Sequence, residues 1–185
     1  MSTKENYKII ISGPVGAGKT TAIAALSDIS PVKTDTAPTD EVLSLKDSTT
    51  VAMDYGTIDL GGNSKIHLYG TPGQERFDFM WDIMLEGTLG LILLMNNTRP
   101  DPLKDLDTFL SAFSKALDTM PFCVGITHMD ESCSTHIDAY RQILSEKGHM
   151  VPVFSVDGRS KEDMNILLMA MLGQIEPQMV IQATS

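Results

Sequence analysis

Gly13-Pro-Val-Gly-Ala-Gly-Lys19-Thr20 stands between the apolar run Ile9-Ile10-Ile11 and the helix-compatible Thr21-Ala-Ile-Ala-Ala-Leu26. A strand that breaks into closely spaced glycines and then enters a helix through Lys-Thr matches the pattern G-x-x-x-x-G-K-[ST] in the setting that pattern requires. Glycines let the backbone turn so that successive N–H groups point inward, and the helix N-terminus adds positive potential, so the segment is built to wrap a phosphate. Gly13, Gly16, Ala17, Gly18, Lys19, Thr20 and Thr21 are therefore expected to hold the phosphates of a nucleotide. Lys19 would span the β and γ oxygens, and the Thr20 hydroxyl would ligate Mg²⁺. The bland alternative is a Gly-rich turn that carries an exposed lysine.

The rest of the chain continues the strand-helix alternation that this loop begins. Tyr7–Ser12, Ile66–Tyr69, Leu89–Met95, Phe122–Thr127 and Val151–Ser155 read as buried strands, with helices expected over Lys19–Ser27, Phe79–Glu86, Pro102–Asp118, Ser134–Lys147 and Lys161–Glu176. Val51–Leu60 alternates in part, and Gly61-Gly62-Asn63 then offers residues tolerant of positive φ before Ser64–Tyr69 returns as a strand. That is a β-hairpin and an antiparallel edge. The fold class expected is α/β, a P-loop NTPase of three layers, with a mostly parallel six-stranded sheet and one antiparallel edge strand. Ser30–Thr49 has three Asp, one Glu and two Pro, and is long for a plain connection, so it is functional or mobile. At 185 residues the chain suits one domain, read as 1–176, with 177–185 as a loose tail.

A net charge of −10 opposes broad contact with nucleic acid or an anionic membrane surface. No apolar run reaches the length of a membrane-spanning helix, and neither end carries a signal core or lipidation motif, so a cytoplasmic protein with no direct membrane anchor is expected. Cys123 and Cys133 lack metal-ligand spacing and read as reduced thiols.

Downstream of the phosphate loop come Thr50-Val-Ala-Met-Asp-Tyr55 and Gly70-Thr-Pro-Gly-Gln74-Glu-Arg-Phe77. In order and spacing the chain resembles the small Ras-like GTPases. The second string is similar to the Asp-Thr-Ala-Gly-Gln-Glu-Arg-Phe of Rab-type members. The resemblance implies that Thr50 ligates Mg²⁺ and senses the γ-phosphate, that the Gly73 N–H bonds the γ-phosphate, and that Gln74 orients the attacking water. Lys19, Thr50 and Gln74 would then be the catalytic set, and GTP/GDP with Mg²⁺ the ligands. Two departures matter. Gly70 stands where the Walker B aspartate is usual, and Pro72 where Ala is common. Asp54 on the neighbouring strand could take the missing role, or could be a solvated acid. These departures and the long Ser30–Thr49 segment look most like bacterial MglA-like and conservon GTPases, which implies a roadblock-domain regulator as partner.

Thr127-His128-Met129-Asp130 follows the strand Phe122–Ile126, at the place of the family's Asn-Lys-x-Asp guanine motif. Asp130 could accept N1–H and the exocyclic N–H of guanine and so reject adenine. Thr127 lacks the amide that would tie this loop to the phosphate loop, and His128 offers only a ring face. Ser155-Val156 is placed like the family's Ser-Ala-Lys loop. None of the four arginines, Arg76, Arg99, Arg141 and Arg159, makes a convincing cationic finger, so slow turnover and stimulation by a partner are expected. Phe77–Leu85 has apolar residues on more than one helical face. Phe77, Trp81 and Met84 or Leu85 suit the core, and Phe79 and Met80 suit an effector surface. The function expected is a regulatory GTPase. The alternatives are a nucleotide-binding interaction module with little hydrolysis, and a P-loop ATPase or kinase.

Overall fold

The computed structural model describes residues 5–30, 32–33, 53–72, 81–130 and 135–175. The elements run β1 (Asn6–Ser12), α1 (Lys19–Leu26), β2 (Val32–Lys33), β3 (Asp54–Gly61), β4 (Ser64–Gly70), α2 (Trp81–Leu85), β5 (Gly90–Asn96), α3 (Pro102–Ala112), α4 (Ser114–Leu117), β6 (Phe122–Thr127), α5 (Ile137–Glu146), β7 (Val153–Ser155) and α6 (Lys161–Leu172). The strands form one sheet in the order β2-β3-β4-β1-β5-β6-β7. All six strands read from the alternation are present. β2 is an addition of two residues, paired antiparallel to β3. β3 and β4 form the expected antiparallel hairpin, and β4, β1, β5, β6 and β7 run parallel. The hairpin turns through Gly61, Gly62 and Asn63, all with positive φ.

Alternate residues of the central strand serve opposite layers. Ile9 and Ile11 of β1 join Ala22, Ile23, Met164, Leu167 and Met171 of α1 and α6 on one face. Ile10 joins Met84, Leu106, Phe109, Leu110, Tyr140 and Leu144 of α2, α3 and α5 on the other. Every one of these side chains is at most 7% exposed. Continuous runs such as Leu91–Met95 are buried on both faces, which is why they carry no polar alternation.

Several boundaries differ from the sequence reading, each for a local reason. The helix expected over Pro102–Asp118 is interrupted at Phe113, whose φ of −95° and ψ of 7° leave the helical region. Ser111 and Ser114 flank the break, and serine competes with the helix ladder for backbone partners. β7 starts at Val153 rather than Val151 because Pro152 has no N–H to give the ladder. Its carbonyl instead accepts from Val124 N at 2.9 Å. α1 stops one residue short at Ser27, which is extended, and whose hydroxyl accepts from Thr57 N at 3.0 Å. α5 begins at Ile137 with His136 as its N-cap. α6 ends at Leu172, before Gly173. The tail from residue 176 onward lies outside the described residues.

Candidate functional site: a phosphate loop and an adjoining cleft

The loop between β1 and α1 is held in backbone conformations that only glycine adopts readily: φ is 144° at Gly13, 79° at Gly16 and 89° at Gly18. At Gly13 a side chain is also excluded, since a Cβ would lie 1.9 Å from the Leu94 carbonyl oxygen. Gly18 is the N-cap of α1 and caps it with no side chain. The first N–H groups of the helix therefore face the loop mouth without intrahelical acceptors, as at any helix start. Lys19 is 8% exposed and reaches back over the loop, its Nζ donating to the Gly13 and Pro14 carbonyls at 2.7 Å each. Burial lowers its pKa to about 8, with Asp54 opposing the shift and Arg99 adding to it.

Two side chains reach the loop from outside. Asn96, at the end of β5, donates its amide to the Gly16 carbonyl at 3.0 Å. Thr127, at the end of β6, places its hydroxyl 3.4 Å from the Ala17 carbonyl and 3.2 Å from that of Met95. With one proton to give, the Thr127 hydroxyl can serve either carbonyl, and the Met95 carbonyl is the nearer, so it does not replace the tie that an amide would make. Asn96 was missed. Its signal in the sequence was an Asn at the end of a wholly apolar strand.

Thr20 is exposed at the first turn of α1 and donates its hydroxyl to Asp54 Oδ2 at 2.5 Å. Among the described residues no group of three or more His, Cys, Asp and Glu is placed to hold a metal. A hydroxyl backed by one carboxylate beside a phosphate loop nonetheless fits Mg²⁺, which is usually held by few protein ligands together with substrate phosphates and water.

Beside the loop opens a cleft of about 400 Å³, lined by Gly18, Thr21, Thr127, His128, Met129, Asp130, Ser155, Val156, Asp157, Gly158, Arg159 and Asp163. Seven residues singled out in the sequence meet here: Gly18, Thr21, Thr127, His128, Asp130, Ser155 and Val156. His128 has a φ of 61°, which turns the chain as it leaves β6. Arg159 and Asp163 were not anticipated as cleft residues. Arg159 forms a fork with Asp157, at 2.9 Å from Nε to Oδ1 and 2.7 Å from Nη2 to Oδ2, which holds the Asp157 carboxyl down at about 2. Asp163 accepts from Asp157 N at 2.8 Å and so anchors the same loop to α6. The volume lies in the range of small-ligand sites and is continuous with the phosphate loop through Gly18.

Thr50, Gly73 and Gln74 lie outside the described residues, as do Arg76, Phe77, Phe79, Met80 and Cys133. Of the expected effector helix, Met84 and Leu85 are buried and Ile83 is 48% exposed. Cys123 is a buried free thiol whose Sγ lies 3.3 Å from the Leu167 carbonyl, and burial pushes its pKa up to about 12. No helix among the described residues is long and apolar enough to cross a membrane.

Comparison with known proteins changes the assignment suggested by the Gly70–Phe77 string. A curated relative, the uncharacterized protein MJ1339 of Methanocaldococcus jannaschii, is 32% identical over 97 residues, which are 52% of this chain and 54% of the relative. The chain thus spans about half the length of the curated relative it matches. The family whose model matches, over residues 30–183, is described as a conserved hypothetical ATP binding protein. It is not the Ras-like, MglA-like family, and the expected roadblock-domain partner rested on that resemblance alone. The match begins downstream of the phosphate loop, so the loop is identified by its own residues and geometry. With most of its length inside that match, and with nucleotide binding supported by both loop and family, the chain belongs to the conserved hypothetical ATP-binding proteins.

Proposed function

We propose that the chain is a Mg²⁺-dependent P-loop nucleoside triphosphatase that takes ATP. The observation that carries this reading is the left-handed glycine cradle at Gly13, Gly16 and Gly18, with Lys19 over its mouth and the Thr127–Asp130 and Ser155–Arg159 loops forming a base-sized cleft beside it. Backbone N–H groups of the loop and the first turn of α1 would bind the β-phosphate, and Lys19 would exchange its two carbonyl contacts for β and γ oxygens. Thr20 would present its hydroxyl to the metal. Mg²⁺, when bound, neutralises charge on the β and γ oxygens and so favours departure of the γ-phosphoryl group.

ATP is favoured because the family is described as ATP-binding. GTP is a second reading, favoured by Asp130, a carboxylate on the wall of the cleft that guanine could satisfy and adenine could not. One experiment addresses both. Fluorescent ATP and GTP are titrated with Mg²⁺ and with chelator, phosphate release is followed, and Lys19→Ala and Asp130→Asn are compared with the wild type. Lys19→Ala is expected to abolish phosphate release and weaken either nucleotide by tenfold or more, since it removes the one lysine at the loop. Asp130→Asn is expected to change ATP affinity by less than about threefold, because a carboxylate offers adenine no donor. A larger loss confined to GTP would move the assignment to GTP, and no binding of either nucleotide would refute the function.

A further inference from the structure

The strand end where P-loop proteins usually carry a carboxylate is Gly70, and the structure accounts for both the missing side chain and the missing charge. Asp54 and Gly70 are directly opposed in the β3–β4 ladder. A Cβ built on Gly70 would lie 3.1 Å from the Asp54 Cβ, 3.4 Å from its Oδ2 and 3.0 Å from Ile23 Cδ1. These contacts are tighter than ordinary packing, so a side chain at position 70 requires the Asp54 or Ile23 side chain to give way by a few tenths of an ångström. The space is taken from the β3 side, and the Asp54 carboxylate that fills it accepts the Thr20 hydroxyl at 2.5 Å. The same carboxylate acts electrostatically on Lys19, whose protonated form it favours.

We propose that the metal-supporting carboxylate of this fold has crossed the β3–β4 pair: Asp54 does the work of the absent β4 aspartate, and Gly70 is glycine because Asp54 needs its volume. The inference rests on the Mg²⁺-nucleotide reading above. Asp54 is a positioning residue. By accepting the Thr20 proton it would leave the lone pairs of that oxygen to a metal, and its carboxylate could also accept from metal-bound water. The glycine follows from this: with Asp54 in place, a side chain at position 70 would crowd the carboxylate that accepts the Thr20 hydroxyl.

The test uses the full chain and reads metal binding rather than turnover. Affinity for fluorescent ADP is measured in chelator and across a Mg²⁺ titration, and Mn²⁺ bound to the ADP-loaded protein is followed by electron paramagnetic resonance. The proteins are the wild type, Asp54→Asn, Gly70→Asp and the exchange Asp54→Gly with Gly70→Asp, each checked for its thermal midpoint. Asp54→Asn is expected to lower Mn²⁺ affinity by about tenfold or more, the usual consequence of losing such a partner. ADP affinity in chelator should stay within twofold. Gly70→Asp alone should weaken metal binding through crowding, and the exchange should recover it to within about threefold of the wild type. A folded Asp54→Asn with wild-type Mn²⁺ affinity, or a folded exchange that recovers nothing, overturns the proposal. Failure of the wild type to bind any nucleotide overturns the underlying reading instead, and with it this inference.

Discussion

Lys19 offers the sharpest quantitative handle because its environment sets opposite demands on the free and the loaded protein. Burial brings its pKa from 10.5 to about 8. At ~1.4 kcal/mol for each tenfold change in proton affinity, that is an opposing contribution of about 3 kcal/mol at neutral pH. The sign follows from proton counting. Between pH 8 and 10.5 the unfolded chain holds a proton on this lysine that the folded chain has released, so stability rises with pH through that window. A lysine with a raised pKa would lose stability there. Phosphate binding reverses the demand, since a triphosphate beside Nζ favours the charged form. Below pH 8 the proton is already present and binding takes up none. Above it, binding should take up one proton at this site, and affinity should fall by up to tenfold for each further pH unit. Calorimetry of ATP binding at pH 7 and pH 9, in paired buffers of different ionisation heat, measures that uptake directly. Urea unfolding of the wild type and Lys19→Met between pH 7 and 10.5 measures the stability term. The variant is expected to be more stable at pH 7 by as much as about 3 kcal/mol, with the difference closing as pH rises. Equal proton uptake at the two pH values, or a stability difference that stays flat, would refute the reasoning.

Two further perturbations test the frame around the loop. Gly13→Ala places a Cβ 1.9 Å from the Leu94 carbonyl at a φ of 144°, and should destabilise the fold by about 3 kcal/mol in urea melts while also weakening nucleotide binding. Tyr140→Phe removes a buried hydroxyl that donates to Asn97 Oδ1 at 2.8 Å, and should cost about 1–2 kcal/mol in the same melts with little change in nucleotide affinity.

The architecture was legible because its signals are local and strong. Ile9–Ile11, Leu91–Met95 and Phe122–Ile126 are too short and too apolar for surface helices, and turn residues bound them. The phosphate loop was legible because its chemistry permits few substitutes for glycine, lysine and a hydroxyl. The interruption at Phe113 was not, since Phe113, Ala116 and Leu117 keep helical spacing across it and periodicity carries no mark of one residue leaving the ladder. The place of Arg159 in the cleft was not legible for a different reason. It enters the cleft by pairing with Asp157, two residues away in an exposed loop, and such a pair leaves no periodic trace. The family was misread because Gly70–Phe77, eight residues, was taken to identify a family, whereas the family match extends over residues 30–183.

The letters that departed from the expected pattern have a common physical explanation. A phosphate loop must be held still from the strands around it, and what holds it is a donor, acceptor or carboxylate at the right point in space, whichever strand supplies it. Here Asn96 at the end of β5 holds the Gly16 carbonyl at 3.0 Å, and Thr127 at the end of β6 brings a hydroxyl within 3.4 Å of the Ala17 carbonyl. The Thr20 hydroxyl is held from β3 through Asp54. All three come from strands next to β1 or one strand further out: Asn96 and Thr127 end the parallel strands β5 and β6, and Asp54 opens β3, whose antiparallel pairing sets it opposite Gly70 at the same edge of the sheet. Replacing a tether in place would require the same side chain at the same position, whereas moving it to a neighbouring strand end requires only that the space be vacated, as Gly70 does for Asp54. Sequence motifs record the first kind of solution. The positions that look degenerate in this chain are the ones where the fold uses the second.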